Sequence, residues 1–538
     1  MAERSRSSKR CAVAVNPQFR VGVGVDRISG LGNDLLGHIL SFVPALEAVR
    51  SSALSRRWRR AWTHTPDLKI SDELHQERFL DVARAVLAQY GEAPDIPSLN
   101  VGIGCGSNLG PATAAWLRDA MPRVVGSICV ELDRYSIEQL VLPSSLQAKA
   151  MALTLSANFY HKPLLIFPEH PEPAAFSRLT ELSLSNLKLQ MHGFGEFLSS
   201  CFPQLTKLHL RSVYNMTGEQ GLWPLILHMD MLEELKVNDV FQLTLLQVVA
   251  AKLRLLTVVH CFRSLAALTT DTLVNISAPR LEVISWSGRF PKQLNFLTDV
   301  RCVRRLSGLL VYWPSISRIE FSLLDLVHFL ETCSGADRLD VFVDIPDGFK
   351  PSMLAREDFV ERIPCLPNIR TLSLTIITIL RLHSCPIGPS VFSFLRRCPN
   401  LTLLHIDLST VHQFTRQDRH NLVFPDDDDK TEAAKPPQGL ECDPWKPPKD
   451  QMQLGSLREI RISGFVGTDP EMELFNLLFG VGAARPALER ISISSFVQLS
   501  DRMDRITLKI KSWFPLTGGR WEVSQWGDIT WTKNNYGL

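Results

Sequence analysis

One pattern, L-x-x-L-x-L-x-x-(apolar), recurs along this 538-residue chain and constrains its fold more than any other feature. It reads Leu179, Leu182, Leu184, Leu187; then Leu205, Leu208, Leu210, Val213; then Leu232, Leu235, Val237, Val240; then Leu253, Leu256, Val258, Cys261. A weaker copy is Leu281, Ile284, Trp286. After a gap the pattern returns at Ile369, Leu372, Leu374, Ile377; at Leu401, Leu404, Ile406; at Leu457, Ile460, Ile462, Phe465; and at Leu488, Ile491, Ile493, Phe496. The first leucines of the early copies are 26, 27, 21 and 28 residues apart.

That period is the one expected of leucine-rich repeats, roughly 20–29 residues. The central L-x-L makes a short strand whose alternate side chains enter a core. One coil cannot bury its own apolar edge, so coils must stack, and stacking gives a curved parallel sheet with one open face. Proline stands two residues before the leading apolar residue at Pro203, Pro279, Pro367, Pro399 and Pro486, which suits a turn entering a strand. The expected class is α/β, an irregular solenoid over 95–424. Ile316, Ile319 and Phe321, and then Leu339 and Val341, are its weaker copies. Unrelated buried strands of an ordinary α/β domain are the alternative reading.

Composition sets the remaining boundaries. Residues 1–25 are Ser/Arg-rich and then Gly/Val-rich, a disordered tail by expectation. Residues 425–453 are an acidic, Pro-rich linker, with Asp426–Asp429 adjacent in the chain. The apolar pattern then resumes over 454–514. The whole chain is 45% hydrophobic, with a formal net charge of +2, and lacks the overall basic field of most nucleic-acid binders. Its 11 cysteines contain no C-x-x-C pair, which argues against a disulfide framework or a structural zinc site and fits a reducing compartment. No apolar run reaches the roughly 18 residues of a membrane span. The expectation is an intracellular protein, cytoplasmic or nuclear, without membrane contact.

Residues 26–70 follow a different period. Leu35, Leu36, Ile39, Leu40 and Val43 form one broad apolar helix face, with Asn33 as its expected cap. Pro44 suits the first turn of a second helix carrying Leu46 and Val49, and Ser55 suits the cap of a third carrying Trp58 and Trp62. Three short helices cannot hide so many apolar side chains, which must lean on the repeats or on another protein.

The order D-R-I-S-x-L, L-L-x-x-I-L-S-F-x-P and A-V-x-S-x-x-L-S-R-R-W-R-x-x-W strongly resembles the F-box of plant F-box/leucine-rich-repeat proteins. The stretch Leu454–Ser494 resembles the FBD module that follows such repeats. The resemblance implies a three-helix F-box ahead of the solenoid. It also implies a non-catalytic substrate-recognition subunit of a Skp–cullin–F-box ubiquitin ligase, monomeric within the complex. The F-box would dock on the Skp-type adaptor, and through it on cullin, while the repeats hold a target protein that the sequence does not name. Carried over by position, the adaptor-facing residues are Leu31, Leu35, Leu36, Ile39, Leu40, Val43, Pro44, Val49, Leu54, Trp58 and Trp62. Each leucine among them has a place inside the bundle as its alternative. One position departs from the family: Gly32 stands where proline is usual, which removes a fixed φ and ring surface. A repeat scaffold without a ligase role is the alternative function.

Other chemistries find little support. Arg56, Arg57, Arg59 and Arg60 flank two tryptophans, as on the wet face of a packed helix, and nucleic acid is not expected as a partner. Gly102, Gly104, Gly106 and Gly110 match neither a dinucleotide fingerprint nor a P-loop. His405, Asp407 and His412 are weak metal candidates beside a reading as polar residues of a strand face. No cofactor, metal or catalytic residue is expected. Recognition would rest on residues between the leucines, such as Glu181, Ser183, Lys207, His209, Glu234, Lys236, Arg370, Ser373, His405, Glu489 and Arg490.

Overall fold

In the computed structural model the described residues are 28–62 (except 29 and 44), 65–71, 79–89, 96–103, 111–132, 139–155, 162–168, 175–217, 223–262, 271–312, 323–344, 364–377, 388–408, 454–465, 471, 474, 475, 478, 487–495, 519–524 and 528–534. The tail 1–25, the linker 425–453, Ile316, Ile319, Phe321 and His412 lie outside them.

Among the described residues seventeen strands form one sheet. Each described L-x-L copy is a strand in parallel register with a neighbour, as Leu184 opposite Leu210, Val237, Val258 and Trp286 in turn. Those side chains point inward and are almost fully enclosed. Proline does what its position suggests. In the copies led by Leu205, Leu281, Ile369 and Leu401, the leading N–H donates to the carbonyl three residues back, with proline at the second turn position. The strands holding Leu184, Leu210, Val237, Val258 and Trp286 then leave the sheet through left-handed corners at Asn186, Ser212, Asp239, His260 and Gly288, where φ is 59°, 51°, 50°, 53° and 93°. The next residue, such as Leu187, Val213, Val240 or Cys261, dives into the core.

The back of the solenoid mixes helices with strands. Phe194–Cys201 and Leu323–Thr332 are helical. Between them Trp223–His228, Leu243–Val249, Leu273–Ser277 and Gln293–Phe296 form a second parallel sheet. Aromatic side chains fill the space between. Trp286 stacks between Phe262 and Phe290, with ring centroids 6.2 and 5.3 Å away.

The sheet reaches beyond the readable repeats in three places. Strand Leu68–Ser71 already pairs with Ile96–Ile103, so the sheet begins inside the segment assigned to the helical module, not at residue 95. The region between 290 and 365, where repeats were hard to place, supplies Arg305–Tyr312 and Arg338–Asp344. A bulge between Leu306 and Leu309, with Gly308 at φ +74°, breaks the two-residue alternation that would have revealed the first of these. The same device recurs at Gly464. Finally, the sheet does not stop by 514: Ile529–Lys533 joins Arg490–Ser495 antiparallel and Gly519–Val523 folds back on it. This hairpin closes the parallel stack over buried Trp531.

Candidate partner-docking site

The N-terminal helices are α1 (Asn33–Leu40), α2 (Ala45–Arg50) and α3 (Trp58–Ala61), with a tight turn at Ser51–Ala53. Gly32, not Asn33, is the N-cap of α1, and the Asn33 side chain instead accepts a 3.2 Å hydrogen bond from Arg57 Nε. Ser55 Oγ accepts from the Trp58 N–H at 3.4 Å, as expected of a cap for α3.

The broad apolar face of α1 divides into two rows. Leu36 and Leu40, four residues apart, are 0% and 7% exposed and join the same core as Leu68 and Ile70 of the first strand. Leu35, Ile39 and Val43 repeat that spacing one residue earlier and stay 49%, 44% and 37% exposed. Phe42 (73%) extends this outer row, and Leu54 (71%), just after the Ser51–Ala53 turn, and Ile28 are also open. Phe42 meets His38 edge-on at 5.2 Å. A row of this kind is unusual on a free surface.

The structure therefore sorts the sequence candidates. Leu35, Ile39, Val43 and Leu54 are exposed, while Leu31, Val49 and Trp58 are half-buried against the core. Leu36, Leu40 and Trp62 are corrected to core residues, because burial leaves them no surface for a partner. Pro44 lies outside the described residues. Phe42 and Ile28 were missed. Phe42 lies three residues after Ile39 and seven after Leu35, a helical spacing that could have drawn it into the row.

The other open surface is the outer face of the large sheet. Lys207 reaches Glu181 at 2.7 Å, and Glu234 receives both His209, at 3.0 Å, and Lys236. Burial works to raise the Glu234 carboxyl, but these two partners hold it below its ordinary range. Further along, Arg305 Nε donates to Asp340 at 2.6 Å, and Arg338 lies 3.8 Å from the same carboxylate. Both ring nitrogens of His405 meet serines, Ser373 at 3.2 Å and Ser463 at 3.1 Å. Burial pushes the His405 imidazole below its ordinary value, with Asp407 working the other way. With both nitrogens so engaged, none is left for a carboxylate to orient, as a hydrolytic triad requires. Among the described residues no group of three His, Cys, Asp or Glu is placed to hold a metal, and no helix is long and apolar enough to cross a membrane.

The chain thus joins a helical module with an exposed apolar row to a stacked-coil solenoid. Residues 28–69 match the family model of the F-box domain. Over 328 residues, 57% of this chain and 61% of the relative, the chain is 28% identical to an Arabidopsis thaliana protein named as an F-box/FBD/LRR-repeat protein. It is 28% identical over 200 residues to an F-box/LRR-repeat protein of the same plant, covering 35% of this chain and 50% of that one. With another Arabidopsis protein, named as an F-box/LRR-repeat protein, identity is 37% over 111 residues, 21% of this chain and 23% of that one. The alignments thus span about three fifths or less of these relatives. Helices, solenoid and matches agree: the resemblance to plant F-box/leucine-rich-repeat proteins holds.

Proposed function

We propose that this chain is the substrate-recognition subunit of a Skp–cullin–F-box ubiquitin ligase. The outer row of Leu35, Ile39, Phe42 and Val43, with Leu54, docks on a Skp-type adaptor, and through it on cullin. The solenoid holds a target protein near the activated ubiquitin. The chain itself performs no chemistry, and its contribution to rate is proximity. The stretch from 454 onward acts as an FBD-like module that extends and closes the solenoid. The subunit is monomeric within its complex and works inside the cell.

The observation that carries this reading is the outer row itself. Covering a Leu, Ile or Phe side chain that is half wet contributes about 1 kcal/mol. Leu35, Ile39, Phe42 and Val43 on one face, with Leu54 also exposed, give a docking surface its apolar centre. The test is co-purification of the full chain with a recombinant Skp-type adaptor. Wild type should retain the adaptor, and the Leu35→Asp, Ile39→Asp double variant should lose it while its thermal unfolding stays close to wild type. Failure of the wild type to retain any Skp-type adaptor, or undiminished retention by the variant, would overturn the proposal. The scaffold reading gains nothing from Gly32, whose φ of −64° is the value a proline ring would impose.

A further inference from the structure

On the outer face of the large sheet, charge is distributed unevenly. From Glu181 to Lys236 each strand carries charged side chains that mostly pair with one another. The next two strands, Leu255–Val259 and Val283–Ser287, carry none. Their outward residues are Leu255, Thr257 and Val259, in register with Val283, Ser285 and Ser287, and all six are half-buried. They form an uncharged plate of hydroxyl and branched apolar groups.

A guanidinium in excess stands on each side of this plate. On one side Arg211 is exposed, and no acidic partner meets it among the described residues. On the other, Arg305 and Arg338 share the single carboxylate of Asp340, leaving one positive charge unmatched. Along the rim below the strands Glu233, Arg254, Glu282, Arg304 and Asp337 alternate in sign, with Arg254 and Glu282 paired at 2.9 Å, and the single net negative charge there cannot offset both. The two excess charges lie at opposite corners. Arg211 is at the end of its strand and Arg305 at the start of its own, with the strand Glu234–Asn238 and the two plate strands between.

We infer that this face takes an extended segment of a target protein in which two acidic residues are separated by about six uncharged ones. The inference rests on the target-holding role proposed above and adds the chemistry of the target. Four strand spacings of about 4.8 Å across and about four residues of rise along give a diagonal of about 23 Å. An extended chain covers that distance in about seven residues. Each acid then meets an arginine through a charge-assisted, two-pronged hydrogen bond, and the intervening residues cross the strand of the Lys236–Glu234 pair and then the plate. Charges between the acids are excluded, because the plate offers nothing to replace their hydration. A nucleic-acid strand fits poorly for the same reason, since its phosphates recur at every nucleotide and several would sit over uncharged surface.

The experiment uses the full chain and four labelled synthetic twelve-residue peptides, read by fluorescence anisotropy. One carries two aspartates separated by six Ser, Thr, Val and Leu residues. The others have the aspartates two residues apart, replaced by asparagine, or replaced by lysine. The widely spaced acid pair should bind at least about tenfold more tightly than the other three, with an affinity that falls as salt rises. Arg211→Gln and Arg305→Gln should each weaken it by about fivefold or more. Equal binding of the asparagine peptide, no binding by any peptide, or tighter binding of a single-stranded oligonucleotide would overturn the inference. Adaptor retention is measured on the same preparations. The arginine variants should retain the adaptor as wild type does, so loss of peptide preference is distinguished from failure of the docking proposal.

Discussion

Leu35 and Leu36 are consecutive in one helix, yet Leu36 is fully enclosed while Leu35 keeps 49% of its surface open. One residue turns the helix by 100°, which carries a side chain from the inner row to the outer one. Identical substitutions at the two positions should therefore fail in different ways. Leu36→Asp places a carboxylate in the core and should destabilise the module by several kcal/mol. Leu35→Asp should change stability by no more than about 0.5 kcal/mol. Chemical denaturation of both variants measures the contrast, and equal midpoints would refute the division into rows.

Gly32 precedes the first turn of α1 with φ −64° and ψ 158°, and no atom approaches within 4 Å of where its Cβ would be. Proline adopts that φ without strain and restricts the unfolded chain more than glycine does. Gly32→Pro should raise stability by about 0.4–1 kcal/mol, read as an upward shift of the denaturation midpoint. A drop would show that the turn at Leu31 cannot accept a following proline.

How much of this was legible depended on whether local period survived. The L-x-L copies were readable because alternation and turn proline coincide at Leu205, Leu281, Ile369 and Leu401. The strand at Arg305–Tyr312 was not, since Gly308 inserts a bulge and resets the alternation. The split of the α1 face was half legible. The spacing placed five apolar residues on one side, but which row meets the body depends on the first strand, tens of residues later. The strands on the back of the solenoid, such as Trp223–His228, were missed because nothing local separates them from the helices that fill that position in other coils.

Lys162 is 6% exposed, donates to the Ser212 carbonyl at 2.7 Å, and lies 4.2 Å from the Tyr214 ring centroid. Burial lowers its pKa from 10.5 to about 8, with Asp239 partly opposing the shift. Between those values the unfolded chain binds more protons than the folded one, so this group's contribution to stability rises with pH across that window. Below pH 8 the cost of burying the charge is fully present. Wild type should therefore gain in thermal midpoint relative to Lys162→Met as pH rises from 8 to 10. A pH-independent difference would mean that the ammonium is not desolvated.

Cysteine reactivity follows the same logic of burial. Cys261, Cys333 and Cys398 are buried, and desolvation pushes each thiol up to about 12. The thiolate is the species that reacts, so at pH 8 these three should resist alkylation in the folded chain. Cys302 and Cys365 are exposed and should be modified first. Iodoacetamide labelling followed by peptide mapping reads each position separately. In mild denaturant the three protected thiols should become reactive together if the coils that hold them open as one unit. Early labelling of Cys398 alone would instead locate a weak point in the solenoid between Leu366 and Leu408.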